Sequence, residues 1–124
     1  MQLINRYCTA TLTDGIVHVQ YRPFLHITLE DAQFIVEDRI RFFKDLRFPV
    51  LIKEAKIKSI DKAARHFLFD TQLGLKNINA IAFIESNKVD RMILKMIFHQ
   101  YTPSIPHNSF QSEAKALVWL AQHR

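Results

Sequence analysis

The stretch Phe48-Pro49-Val50-Leu51-Ile52, Lys53-Glu54-Ala55-Lys56-Ile57-Lys58-Ser59, Ile60-Asp61-Lys62-Ala63-Ala64-Arg65-His66-Phe67-Leu68 decides the fold of this chain. The first five residues are an apolar run entered through a proline, which reads as a buried strand. The next seven form a lysine-rich loop. From Ile60 onward apolar residues recur at helical spacing, with Ser59 or Asp61 as the cap and Ile60, Ala63, Ala64, Phe67 and Leu68 on the inner face. A second apolar run, Ala80-Ile81-Ala82-Phe83-Ile84, follows a turn through Gly74. Two wholly apolar strands joined by a helix predict a parallel βαβ unit covered on both faces, with Leu51, Ile52, Ile81 and Phe83 buried.

Working outward, Tyr7–Leu12 and Ile16–Tyr21 alternate around Asp14-Gly15. That dipeptide suits a type I′ turn, which needs positive φ at both central residues, so a β-hairpin leads the chain. Thr28 with Asp31 three residues later predicts the capped start of a first helix, whose stripe is Leu29, Ala32, Val36, Ile40 and Phe43. After the second apolar run, Asn87 and Asp90 open another helix with Val89, Met92, Ile93, Met96 and Ile97 on one face. Pro103 and Pro106 forbid helix, and Ser109-Phe110 is a candidate short strand. Ser112 caps a last helix, read with Ala114, Leu117, Val118 and Ala121 inward. The expectation is an α/β domain: a mixed sheet with a leading hairpin, βαβ crossovers and about four helices.

Size and composition agree with one domain over residues 1–124. The chain is 48% hydrophobic, and two glycines and four prolines leave little for linkers. Its apolar runs are strand-length, well short of the ~20 residues that span a bilayer. No signal peptide is visible, and Cys8 stands alone, so a cytoplasmic setting is expected. The net charge is +5 and unevenly spread: Arg39 to Arg65 holds nine basic and three acidic residues, while the rest is nearly balanced. Lys53, Lys56, Lys58, Lys62 and Arg65 therefore form a candidate surface for an anion or a partner.

Most chemistry is excluded by pattern. Gly15 and Gly74 are isolated, so no phosphate-binding glycine loop exists. His18, His26, His66, His99, His107 and His123 are scattered without metal-ligand spacing, and no nucleophile–base pair is adjacent in sequence. The chain is expected to be non-enzymatic, with no cofactor and no metal. The interleaved basic and aromatic residues of Arg39–Phe48 are explained by core packing at Phe43 and Phe48, so nucleic acid is disfavoured as a partner.

Several pieces together resemble the STAS and SpoIIAA-like (STAS/SEC14-type) domains, and most of all their uncharacterised bacterial branch. They are Asp14-Gly15-Ile16-Val17, Ile27-Thr28-Leu29-Glu30-Asp31-Ala32, Pro49-Val50-Leu51-Ile52, Ser59-Ile60-Asp61 before Ala64-Arg65, and Phe110 to Ala116-Leu117 with Trp119-Leu120. The resemblance runs from about Tyr7 to Leu120. It implies a SpoIIAA-like fold and a regulatory or binding role. In studied members a serine at the start of the second helix is phosphorylated by a partner kinase, which controls binding to an anti-sigma factor; related SEC14-like domains bind lipids. Ser59 occupies the matching place and becomes a candidate phosphorylation or anion site.

Two functions follow as expectations. One is a regulatory, protein-binding module that docks through its second-helix surface on a protein partner, with homo-oligomerisation open. The other is a binder of an anionic small molecule or lipid headgroup beside the basic loop. The first expects a flat exposed patch, the second a sizeable apolar pocket beside Lys53 to Arg65.

Overall fold

The structure is a computed structural model, and it describes residues 1–53, 56–85, 87–88, 91–92, 95 and 99–124. Its main sheet has six strands in the order β1-β2-β3-β5-β7-β8: β1 Gln2–Ile4, β2 Cys8–Thr13, β3 Ile16–Tyr21, β5 Phe48–Ile52, β7 Ile78–Ile84 and β8 His107–Phe110. The first three strands pair antiparallel and the last three join in parallel. The central βαβ unit is as expected. Val50, Leu51 and Ile52 lie opposite Ile81, Ala82 and Phe83 on the parallel neighbour. The hairpin turn also forms as its sequence predicts, with φ of 52° at Asp14 and 78° at Gly15. β8 begins directly after Pro106, longer than the two residues expected. A separate two-stranded parallel sheet pairs β4 (His26–Ile27) with β6 (Ser59–Ile60).

Three helices are described: α1 Leu29–Phe43, α2 Lys62–Leu68 and α3 Glu113–Ala121. The expected count of about four is thereby corrected to three among the described residues. Val89, Asp90, Ile93, Met96 and Ile97, which carried the extra helix, lie outside the described residues. Met92 from that stripe is described and is 70% exposed, not core.

The sheet separates two apolar layers. On one face Val17, Val19 and Val50 meet Phe43 of α1 and Phe48. On the other, Ile16, Leu51, Ala80 and Ala82 meet Ala116 and Leu120 of α3. A third cluster ties α1 to α2 and β4 through Ala32, Ile35, Ala64, Ile27 and Tyr7. Helix phases differ from the periodicity reading in three places. In α1, Leu29 is exposed because it sits in the first turn, and Ile35 takes its place. In α2, Ala63 points outward and Ala64 is fully buried. In α3 the inward residues are Ala116 and Leu120, while Ala114 and Val118 face solvent. The small Ala116 lets the helix approach the Ala80–Ala82 stretch of β7.

The start of α1 is a full capping box. Thr28 Oγ1 accepts from the Asp31 N–H at 3.2 Å, and an Asp31 carboxylate oxygen accepts from the Thr28 N–H at 3.0 Å. Tyr7 adds its hydroxyl, donated to the other Asp31 oxygen at 2.5 Å. The Thr28 backbone donor first, and Tyr7 second, hold the Asp31 carboxyl below its ordinary value of 3.8. A carboxylate depressed in the folded state stabilises the fold above its ordinary pKa. That contribution is lost as pH falls through the folded value. Urea midpoints measured down the acid range should therefore drop for the wild type, and Asp31→Asn should flatten that drop. An unchanged acid limb would show that Asp31 is not stabilised by its partners.

Cys8 is buried in the first layer. Burial, helped by the nearby Asp38 charge, pushes its thiol up to about 11, which keeps it protonated and unreactive in the fold.

Candidate functional site

The loop between β5 and α2 leaves the sheet beside β3, where Lys53 N–H donates to Val19 C=O at 2.9 Å. It returns through β6, tied to the segment before α1. Lys58 N–H and Ser59 N–H both donate to Leu25 C=O, and Phe24 N–H donates to Lys56 C=O at 2.7 Å. Phe24 adopts a φ of 63° there and is exposed. Holding the loop away from the sheet leaves a cavity of about 410 Å³ under it. Its walls come from the sheet (Val50, Ile52, Ile78, Ile81, Phe83), from α1 (Ile35, Val36) and from α2 with the turn after it (Leu68, Phe69, Leu75).

The same face of β5 and β7 that continues the first core layer thus lines a hollow where Ile52 and Phe83 stand. That is why these two, expected to be buried, are half-buried, whereas Leu51 and Ile81 are buried as expected.

Arg39, Lys53, Lys58 and Arg65 line the cavity, and no acidic residue does among the described residues. Lys53 leans on Glu113 at 3.5 Å. Arg39, which composition alone did not single out, donates Nη1 to Gly74 C=O at 2.9 Å and Nη2 to Lys76 C=O at 2.7 Å. Burial lowers the pKa of its guanidinium and raises that of the Tyr21 phenol beside it. Arg65 donates Nη1 to Ile60 C=O at 3.0 Å and lies 5.7 Å from the Tyr101 ring centre, while its Nε is buried without a hydrogen-bond partner.

Of the basic residues singled out in the sequence, then, Lys53, Lys58 and Arg65 come together on the cavity. Lys56 and Lys62 are exposed and lie off its lining.

Ser59 is not a helix cap. Asp61 occupies the N-cap of α2, with no side-chain cap bond, and Ser59 lies two residues earlier on β6. Its exposed hydroxyl bonds to His26 Nδ1, and His26 Nε2 faces Asp61 Oδ1 at 3.3 Å. The register explains this series. His26 pairs with Ser59 across the parallel strands, and the two-residue period of β6 turns Asp61 to the same side.

Serine, histidine and aspartate in series invite comparison with an acyl-transfer triad. Three nearby backbone donors are already engaged, however: Lys58 and Ser59 N–H go to Leu25, and Asp61 N–H goes to Ile27, so none of these three is available to hold an oxyanion. The His26 and Asp61 side chains are also half in solvent, at 53% and 47% exposure. The series joins β4 to β6 at the cavity mouth and holds Ser59 on its lining. Sequence spacing could not find it, because His26 is 33 residues from Ser59.

Residues 10–124 match the model of a family described as a domain of unknown function, DUF7793. The chain belongs to the DUF7793 family. The DUF7793 fold seen here is similar to the crystal structure of an uncharacterised DUF3478-family protein with a SpoIIAA-like fold from Shewanella loihica PV-4. The two share 16% identity over 95% of this chain and 98% of that one, with a TM-score of 0.60. Similarity at that identity concerns the fold, and the STAS-type resemblance holds at that level. A protein of unknown function from Arthrobacter sp. FB24 shares 29% identity over 90% of this chain and 97% of that chain, with a TM-score of 0.33. No curated protein matches the DUF7793 chain. No helix among the described residues is long and apolar enough to cross a membrane.

Proposed function

We propose that this DUF7793 domain is a non-enzymatic binding domain. Its cavity takes a small amphipathic molecule, apolar in its body and anionic at one end. The observation that supports the reading is the cavity itself. It is about 410 Å³ in volume, walled by aliphatic and aromatic side chains and edged by Lys53, Lys58 and Arg65. Ligand sites are typically ~300–1,000 Å³, mostly apolar, with a few polar groups that orient the ligand. An apolar pocket beside the basic loop is the feature that separates ligand binding from docking on a flat helix face. α2 is only seven residues long, and its Ala64 is spent on packing against α1, so its outer surface offers a partner little apolar area. In this reading Ser59 and the exposed Lys56 and Lys62 lie beside the mouth, where a regulatory partner could sense whether the cavity is filled.

Titration with 1-anilinonaphthalene-8-sulfonate, an apolar anion whose emission rises out of water, tests the reading. Saturable one-to-one binding is expected. Ile52→Trp, which places bulk on a half-buried lining position, should weaken it about tenfold at unchanged circular dichroism. No saturable binding, or binding indifferent to Ile52→Trp, would overturn the proposal.

A further inference from the structure

We infer that the cavity ligand carries a carbonyl oxygen within its apolar body, and that this oxygen accepts a hydrogen bond from the Tyr21 hydroxyl. The inference rests on the binding reading above and deepens it. Six lining residues have polar side chains: Tyr21, Arg39, Lys53, Lys58, Ser59 and Arg65. Five of them are accounted for. Arg39 gives both of its terminal nitrogens to carbonyls of the turn after α2. Lys53 is drawn toward Glu113. The Ser59 hydroxyl is bonded to His26, and Lys58 is exposed at the mouth, where water serves it. Arg65 donates Nη1 to Ile60 C=O, and its Nε is sealed off from the cavity.

Tyr21 differs. It ends β3 on the face that Val17 and Val19 share, which turns its ring toward α1 and the hollow. Gln20 donates to its backbone C=O at 3.4 Å, but no described residue bonds its hydroxyl. A buried tyrosine O–H ordinarily finds a partner. Tyr7, which packs in the third cluster with it, gives its proton to Asp31. The Tyr21 hydroxyl is also within reach. Among the described residues Arg65 Nε is the only side-chain polar atom closed off without a partner, so the Tyr21 oxygen is open to the space beside it. The ring has protein all round it and is nevertheless only half-buried, because what it faces is the hollow.

Charge decides what the missing partner is. Burial keeps the phenol protonated, so it has a proton to give. The Arg39 guanidinium beside it attracts the phenol oxygen and repels the hydroxyl proton, which turns the O–H away from Arg39. The group that meets this proton is therefore an acceptor. The neighbouring wall of Ile35, Val36, Val50 and Ile52 is aliphatic. Burying a full charge there costs more than burying a neutral carbonyl whose oxygen finds a donor. The anionic end of the ligand is left to the mouth, beside Lys58.

Displacement of 1-anilinonaphthalene-8-sulfonate by decanoate and by 4-, 6- and 8-oxodecanoate tests this. Without a donor in the cavity, a buried keto group would make every oxo acid bind more weakly than decanoate. With Tyr21 as donor, at least one isomer should bind as tightly as decanoate or more tightly. Tyr21→Phe, which removes one oxygen and keeps the ring, should weaken that isomer about tenfold and change decanoate by less than about twofold. If the wild type binds all three oxo acids more weakly than decanoate, the inference is overturned and the cavity reading stands. An equal loss for decanoate and the oxo acid in Tyr21→Phe would put the carboxylate at Tyr21 and overturn it as well. If no acid displaces the dye, both readings fail. Should Tyr21→Phe not fold, the wild type still decides. The infrared stretch of an isotope-labelled keto group in the bound acid should lie below its value in hexane, and a stretch equal to that in hexane rejects the inference.

Discussion

Replacing Leu51 with alanine should remove about 4 kcal/mol of stability, toward the upper end of the ~2–5 kcal/mol that buried leucines show. Leu51 is completely buried at the centre of β5, opposite His18 on β3 and Ala82 on β7. The cost depends on whether neighbours can move into the space left behind. Here they cannot easily do so. Ala80, Ala82 and Ala116 have no atoms beyond Cβ to extend, and β7, which carries the first two, is held in register by ladders on both sides. Native stability is typically only ~5–15 kcal/mol, so the variant loses a large share of it. For a chain of this length the melting temperature should fall by roughly 15 °C. Urea denaturation gives the direct measurement, as a lower midpoint at unchanged slope. Val118→Ala is the comparison, since Val118 is 68% exposed on the outer face of α3 and should change stability by less than about 0.5 kcal/mol. A Leu51→Ala loss below about 1 kcal/mol would mean that the α3 layer does not seal β5.

The features legible in the sequence are those decided by local chemistry. Asp14-Gly15 admits positive φ at two consecutive positions, and the hairpin forms there. Thr28 and Asp31 stand at the spacing of a capping box, and both bonds are made. Two apolar runs flanking a helix left parallel pairing as the reading that hides both faces, and β5 and β7 are parallel neighbours. Helix phase was less legible. In α3 the set Ala114, Leu117, Val118 and Ala121 and the set Ala116, Leu117 and Leu120 both recur at helical spacing. The choice between them rests on which one fits the sheet, a tertiary matter. The two-residue strands β4 and β6 carry no periodic signal, and only their mutual pairing creates them.

The candidate site divides along the same line. The charge excess between Arg39 and Arg65 pointed to the right region, and three of the five basic residues chosen do line the cavity. The hollow itself could not be read. Ile52, Phe83, Ile57 and Leu68 have the same apolar character whether they fill a core or wall a cavity, and only the span of the loop above them decides. Nor could the sequence rank the cations. Arg39 and Arg65 differ in what their nitrogens already hold, and those acceptors are carbonyl groups contributed by other turns.

Gly74→Ala should be the most damaging substitution outside the sheet, costing at least the ~3 kcal/mol that marks the upper end of ordinary overpacking. A Cβ at position 74 would stand 2.2 Å from Leu68 O and 2.4 Å from Leu68 C and Cα. These are backbone atoms at the end of α2, so no rotamer change can make room. The turn would have to move away from the helix as a unit. That movement breaks the bond from Gly74 N–H to Phe67 C=O at 3.0 Å and the one that Gly74 C=O accepts from Arg39 at 2.9 Å. It also shifts the buried Leu75 and opens the cavity wall that Leu68, Gly74 and Leu75 share. Ligand affinity should therefore fall together with stability. Gly15→Ala provides the scale. Gly15 has a φ of 78°, but the nearest atoms to an added Cβ belong to the flexible Arg124 side chain, so its cost is conformational, roughly 1–2 kcal/mol. Urea denaturation of both variants should rank Gly74→Ala well below Gly15→Ala in stability. The reverse order would show that the turn after α2 does not rest against Leu68, and with it the wall that closes the cavity on that side would be lost.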